Sequence, residues 1–180
     1  EIRFCDWSSD VCSSDLNLYI PAGGDIPDPA LNPKFGQKLA YIRALTEWFS
    51  DGGAAATDVQ HILAGDFNVA PFEHDVWSHK QLLNVVSHTP VEVEHLARLK
   101  ASANWLDVMR KFVPADQKLY TWWSYRARDW RASNRGRRLD HIWTTPGLEP
   151  SVRQMIIVED ARDWTQPSDH VPVIVDFELA

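Results

Sequence analysis

The sequence predicts an α/β fold with a mixed sheet, and three stretches carry the prediction. Apolar runs at Asn17–Ile20 and Val59–Ala64 each close on turn residues. Between them, Phe35, Leu39, Ile42, Leu45 and Phe49 recur at helical spacing. After them, Thr89-Pro90-Val91-Glu92 opens a second helix, and further β-prone runs follow it. A helix between two strands is the grammar of a βαβ crossover, hence of an α/β or mixed sheet.

Length and composition set the bounds. A chain of 180 residues, 44% hydrophobic, makes one domain with a real core. No apolar run approaches the ~20 residues of a membrane span. The opening residues lack the apolar stretch of a signal peptide. A formal net charge of -7 argues against a general nucleic-acid coat, so any basic surface must be local.

Residues 1–16 show neither helical nor strand periodicity and are rich in Ser and Asp. Cys5 to Leu16 resembles the in-frame translation of a widely used short-read sequencing adapter, with Glu1 to Phe4 as primer and index bases. The segment is therefore set outside the fold as non-native, and the domain is taken as 17–180. Both cysteines, Cys5 and Cys12, fall in it, so the domain has no disulfide and no thiolate metal site.

The elements follow in order. Asn17 to Ile20 ends a strand, with Tyr19 near its tip and Pro21, Gly23 and Gly24 in the loop beyond. The helix over 35–49 places Lys34, Lys38 and Arg43 off its apolar stripe, and Asp51-Gly52-Gly53 stops it. Thr57 to Ala64 is the strand that delivers Gly65-Asp66-Phe67-Asn68-Val69-Ala70-Pro71. If that path stays extended, Asp66 and Asn68 face one side and Phe67 the core; a simple turn explains the same residues equally well. His74 to Val86 is ambiguous, with a short helix around Trp77 to Leu83. His74, His79 and His88 match no ligand spacing and read as surface or capping residues. The helix from Thr89 runs to about Ser102, and helical spacing resumes over Trp105 to Phe112.

Leu119 to Tyr125 is β-prone, but Trp122 and Trp123 cannot both face a core from one strand. Arg126 to Arg138 then holds six arginines against one aspartate. A charge run is usually a solvated face. Beside exposable Trp it also suits a phosphate backbone with an unstacked nucleotide. Leu139 to Thr144, Ser151 to Val158 and Val171 to Leu179 complete the strands.

Four polar groups thus sit at strand ends or turns: Tyr19, the Asp66/Asn68 pair, Asp140 beside His141, and Asp169-His170. Each has a structural explanation alone. Together they form an oxygen-rich set with one or two imidazoles, suited to a hard cation such as Mg2+ or Mn2+ and to phosphodiester hydrolysis.

GDFNVAP at 65–71, NRGRRLDHIW at 134–143 and SDHVPV at 168–173 stand in the order and rough spacing of exonuclease III-like abasic-site endonucleases of the endonuclease/exonuclease/phosphatase superfamily. NLYIPAGG at 17–24 is similar to that family's strand carrying an active-site Tyr, and the likeness runs through 17–180. The resemblance implies a four-layer α/β sandwich of two mixed sheets. It implies that Asp66 orients or deprotonates water, that Asn68 binds the scissile phosphate, and that Tyr19 contacts phosphate or nucleophile. Asp140 and His170 would pair, with His170 on the phosphate, and Asp66, Asn68, Asp169 and His170 would surround Mg2+ or Mn2+. Trp122, Arg126, Asn134 and Arg137 would touch double-stranded DNA with an abasic site or a 3′ end. A monomeric, cytoplasmic bacterial repair enzyme is implied, without a membrane partner.

One departure stands out. The family's strand-end Asn and the metal-binding Glu of its QE motif have no match in 1–180. The expectation is an N-terminally truncated chain with little nuclease activity, unpaired sheet edges and a tendency to aggregate. Two alternatives remain: a superfamily member acting on a phospholipid or inositol phosphate, and a non-catalytic DNA-binding fragment or translation artefact.

Overall fold

The computed structural model describes residues 13–53, 59–127 and 129–179. Cys5 and Cys12, the foreseen strand start at Thr57, and Arg128 of the arginine run lie outside the described residues. Strand β1 (Ser13–Tyr19) leads into the Pro/Gly loop. Helix α1 (Pro33–Trp48) is capped by the Asn32 side chain, which accepts from the Lys34 N–H, with Pro33 in its first turn. A π-helical turn, Phe49–Gly53, ends it at the foreseen Gly pair. Strand β2 (Gln60–Asp66) then runs parallel to β1.

The short helix α2 (His79–Leu82) precedes α3 (Pro90–Ser102), which starts with the expected capping box of Thr89 and Glu92. Over 105–112 the helical reading holds only in part. Leu106–Asp107 form β3, and α4 (Val108–Phe112) follows, with Asp107 as its cap. Strand β4 is only Trp122–Trp123, and it pairs with β5 (Gly136–Arg137) across α5 (Trp130–Ser133). Strand β6 (Asp140–Thr144) joins β2 and β3 antiparallel, giving a mixed sheet in the order β1-β2-β6-β3. Strands β7 (Val152–Ile157) and β8 (Val173–Phe177) form a separate antiparallel ladder.

The boundary set after Leu16 falls inside β1. Ser13 to Leu16 pair in register with Gln60 to Leu63, and Leu16 is buried in the main core. The physical reason is that backbone pairing asks little of side-chain type, while the alternation of Leu16, Leu18 and Ile20 onto one face supplies the apolar contact.

That core joins the sheet to one helical layer. Leu16, Leu18 and Ile20 from the β1 arm, Leu63 from β2 and Trp143 from β6 meet Ile42 and Leu45 of α1 and Leu96 and Leu99 of α3. Full burial of one such aliphatic side chain stabilises by about 1.5–3 kcal/mol. Lys38 departs from the sequence reading, being on the packed side of α1 and fully buried. Three residues after Phe35 and four before Ile42, it falls on their stripe. It stays there because Glu92 of α3, also fully buried, pairs with it. Among the described residues, no helix is long and apolar enough to cross a membrane.

Candidate active site

The parallel pairing of β1 with β2 and the antiparallel pairing of β2 with β6 bring three strand ends to one place. Tyr19 is in register with Asp66, and Asp66 with Asp140. Gly65 permits the close approach: with φ at 139°, a Cβ there would sit 2.0 Å from the Leu18 carbonyl oxygen. Asp140 faces the site from β6, while His141, next along the strand, turns inward. His141 stacks on Phe67 and its Nε2–H donates to the Val69 carbonyl at 2.8 Å. Burial pushes its pKa down to about 4, so it belongs to the core as a neutral ring.

Asp66 and Asn68 do share a site, though the path between them is not extended. Asn68 takes φ 53°, the left-handed region that Asn tolerates better than most residues. This bend lets its backbone N–H donate to Asp66 Oδ1 at 2.8 Å and its Nδ2 to Asp66 Oδ2 at 3.0 Å. Nδ2 also donates to the Ile20 carbonyl at 2.9 Å. Both amide hydrogens are therefore committed to holding the Asp66 carboxylate and the β1 end. Phe67 packs in the core, as its position implied.

His170 reaches the same place from the chain's last turn. A carboxylate only accepts, so the 2.8 Å contact of His170 Nδ1 with Asp140 Oδ2 has the ring donating. The other nitrogen, Nε2, lies 3.8 Å from Asp66 Oδ2. Burial opposes charge on the ring, but the hydrogen bond and negative charge of Asp140, with Asp66 and Asp169 behind, outweigh it and raise its pKa. Asp66 is shifted too. Burial pushes its carboxyl up to about 6, with Asp140 adding repulsion, against the opposing pull of the Asn68 N–H and of His170. Thr121, absent from the sequence reading, positions Asp140: its Oγ1 accepts from the Leu139 and Asp140 N–H groups, both at 3.1 Å.

Around these groups opens a cleft of about 940 Å³. Tyr19, Asp66, Asn68, Trp122, Arg126, Arg137, Asp169 and His170 all line it, so eight of the sequence-derived residues meet there. Asp140 holds His170 from behind. Asn134 takes a supporting place: in the left-handed region (φ 41°) it ends α5, and its Oδ1 accepts from Trp123 Nε1 at 3.2 Å. The Trp pair divides as strand geometry requires. Trp123 is buried, while Trp122 is half-buried on the cleft, donating from Nε1 to Asp169 Oδ2 at 2.9 Å.

The arginine run does not act as one basic lip. Arg126, Arg135 and Arg137 line the cleft. Arg131 instead pairs with Asp160 and Asp163 on the outer surface. Arg138 is fully buried between Asp75 and Asp107. Alternation along β5 and into β6 explains the split, since Arg137 and Arg138 point to opposite sides. Sequence reasoning also missed Trp77, over whose ring the Arg135 guanidinium lies at 4.6 Å. One of the three histidines read as surface or capping residues, His88, differs from expectation. His88 is buried, its Nδ1 donating to the Ala70 carbonyl at 2.6 Å and its Nε2 accepting from His79 Nδ1 at 2.8 Å.

For a metal, the donors on hand are few. Asp25, Asp66 and Asp169 are the carboxylates that line the cleft, and Asp169 already receives the Trp122 N–H. Among the described residues, no three His, Cys, Asp or Glu side chains converge as a metal-holding group.

The mixed sheet thus brings its strand ends to an Asp–His–Asp cluster beside Trp122 and Arg137. Residues 38–170 match the Endonuclease/Exonuclease/phosphatase family, and the chain belongs to that family. It is 27% identical to exodeoxyribonuclease III of Haemophilus influenzae over 169 residues, covering 91% of this chain and 61% of that protein. An AP endonuclease structure from Archaeoglobus fulgidus superposes with a TM-score of 0.82 at 26% identity, over 93% of this chain and 62% of the other. The 3′ phosphatase NExo from Neisseria, solved with a product DNA hairpin, gives a TM-score of 0.82 at 27% identity, again over 93% and 62%. The chain therefore spans about three-fifths of the length of these relatives. Exonuclease III-like enzymes generally depend on a divalent metal.

Proposed function

We propose that the cleft hydrolyses phosphoester bonds of DNA, at abasic sites or 3′ ends, as a DNA-repair nuclease. The observation that carries this reading is the Asp66–His170–Asp140 arrangement: two ionisable groups 3.8 Å apart, with Asp140 fixing the second. Asp66, with a pKa near 6, is poised as a general base toward water at neutral pH. His170, its pKa raised by Asp140 against the cost of burial, in its protonated form offers Nε2–H to a phosphate oxygen and opposes the charge that builds in the transition state. Asn68 holds Asp66 in place, and Tyr19 stands exposed at the mouth to contact phosphate or nucleophile. Trp122 gives a stacking face, and Arg126 and Arg137 give cationic contacts to the backbone.

Double-stranded DNA is the partner this reading assigns, with Mg2+ or Mn2+ as the hard cation for carboxylate donors. Because the described donors form no group of three, turnover by this chain is expected to be slow, and binding is the sharper test. The purified chain is offered a duplex with an abasic-site analogue and, separately, phosphoinositide vesicles. Preferential capture of the duplex, weakened by Trp122→Ala, supports the reading. Preference for the vesicles would assign the site to a lipid phosphoesterase, and capture of neither would overturn both.

A further inference from the structure

The cleft rests on a buried ion pair that the chemistry above does not use. Lys38 of α1 and Glu92 of α3 are both fully buried and bonded to each other. The Lys38 ammonium also donates to the carbonyl of Asn68 at 2.7 Å and to that of Ala22 at 3.4 Å. Its three donors are thereby used. Gly23, with φ 89°, makes room for the Lys38 stem, since a Cβ there would lie 2.9 Å from Lys38 Cδ. On the other side, Glu92 accepts from the Ser87 N–H with both oxygens at 3.0 Å, and from the Thr89 N–H at 3.2 Å and hydroxyl at 2.6 Å.

Each partner therefore grips one non-glycine residue in the left-handed region. Asn68 has φ 53° and Ser87 φ 86°, conformations that cost free energy and persist only where the surroundings enforce them. Both bends lead to the cleft. Asn68 clamps Asp66 with two hydrogen bonds. Ser87 accepts from an Arg137 nitrogen through Oγ at 2.7 Å, the Val86 carbonyl accepts from the same nitrogen at 3.2 Å, and the guanidinium lies over Trp122 at 5.3 Å. The two bends are also tied to each other, the Ala70 N–H donating to the Ser87 carbonyl at 2.7 Å.

We propose that Lys38 and Glu92 are positioning residues for the DNA-cleaving cleft: the ammonium fixes the Asn68 bend behind Asp66, and the carboxylate fixes the Ser87 bend that carries Arg137. Stability alone does not call for an ion pair here, because a buried pair replaced by neutral side chains of similar shape is often no less stable. What neutral residues cannot supply is a cation on the Asn68 carbonyl together with an anion spanning Ser87 and Thr89.

The inference rests on the proposed function for its meaning, but its test needs no catalysis. Hydrogen exchange by NMR is compared in the wild-type chain, Lys38→Met/Glu92→Gln and Lys38→Met/Glu92→Leu. These neutral pairs avoid the unpaired buried charge that could unfold Lys38→Met alone. In Lys38→Met/Glu92→Gln, the Asn68 amide is expected to lose about tenfold in protection, the effect of one charge-assisted hydrogen bond. Ser87 keeps most of its protection there, because Gln retains an acceptor. In Lys38→Met/Glu92→Leu, Ser87 loses protection as well, and the Arg137 side-chain signals broaden. Leu63 and Leu99 serve as core controls and stay within about twofold. Unchanged protection at Asn68 and Ser87 would overturn the proposal. Loss spread equally to Leu63 and Leu99 would also overturn it, by reducing the pair to a general stabiliser.

Discussion

His170 Nδ1 lies 2.8 Å from Asp140 Oδ2, and this bond decides what the opposite face of the ring can do. With Nδ1–H committed to Asp140, Nε2 is the nitrogen left to face Asp66 and the cleft. A neutral ring would present a lone pair there, and a cationic ring a donor. Asp140 favours the cationic form both as acceptor and as charge. The relation resembles that of the carboxylate that orients the histidine of a Ser-His-Asp triad.

Asp140→Asn tests this relation. The His170 pKa is expected to fall, followed through its ring Cε1–H signal across pH 5 to 9. The raised folded-state pKa also fixes a sign for stability. It contributes fully below the unfolded value near 6.5 and is lost as pH rises through the folded value. The melting temperature of wild type relative to Asp140→Asn should therefore be highest near pH 5.5 and should narrow by pH 9. A difference constant across that range would count against a charged His170.

Asp66→Asn is expected to trade stability against function. A carboxyl whose folded pKa is raised from 3.8 to about 6 is at its most favourable below pH 3.8, and the benefit is lost as pH rises through 6. At pH 7.5 the wild-type charge is a burden, so Asp66→Asn should raise stability by about 1–2 kcal/mol there and by almost nothing at pH 4. Denaturant melts at the two pH values measure it. Any phosphodiester cleavage by the chain should disappear in the same variant.

Much of this site was legible from the sequence because strand ends and turns concentrate its polar residues. Asp66, Asp140, Asp169 and His170 each follow or precede an apolar run; the βαβ pattern joined only the ends that carry Tyr19 and Asp66, and the family resemblance brought Asp140, Asp169 and His170 to them. Long-range pairing was not legible. Lys38 looked like a surface lysine because periodicity cannot announce that Glu92 of another helix waits opposite. Glu92 itself showed only its local role, as the third residue of a capping box. The arginine run misled for a related reason. Composition counts charge but not direction, and Arg138 spends its charge on Asp75 and Asp107 beneath the surface. Asn68 faced the right way by the wrong route, its left-handed bend replacing an extended path.

Arg138→Met should show how far the buried charge carries the fold. Arg138 Nε and one terminal nitrogen donate to Asp75 at 2.7 and 3.0 Å, and the other terminal nitrogen donates to Asp107 at 2.8 and 3.0 Å. Removing it leaves Asp107 without its principal cation and Asp75 dependent on Arg110. The expected loss is about 3–5 kcal/mol, the usual cost of stranding buried charge. For a chain of this size that lowers the melting temperature by roughly 10 °C. Arg138→Lys should recover little of it, because one ammonium cannot span two carboxylates in forked geometry. A loss below about 1 kcal/mol would mean that water reaches the network.

Arg135 and Trp122 should fail in different ways, and the difference separates charge from stacking. Arg135 lines the cleft over the Trp77 ring, where its charge can meet a phosphate. Arg135→Gln should weaken duplex binding at low salt and reduce the slope of log K against log salt by about 1, one phosphate contact. Trp122 offers a ring face, and Trp122→Ala should cost about 1–3 kcal/mol of binding with the slope unchanged, the effect of a lost stacking surface. Trp122→Ala also frees Asp169 Oδ2 from its indole donor. Trp122→Phe, which keeps a ring without the N–H, isolates that second effect: stacking should return while Asp169 stays released. Fluorescence anisotropy over a salt series measures all three variants. Equal slopes for wild type and Arg135→Gln would place Arg135 outside the path of the nucleic-acid backbone.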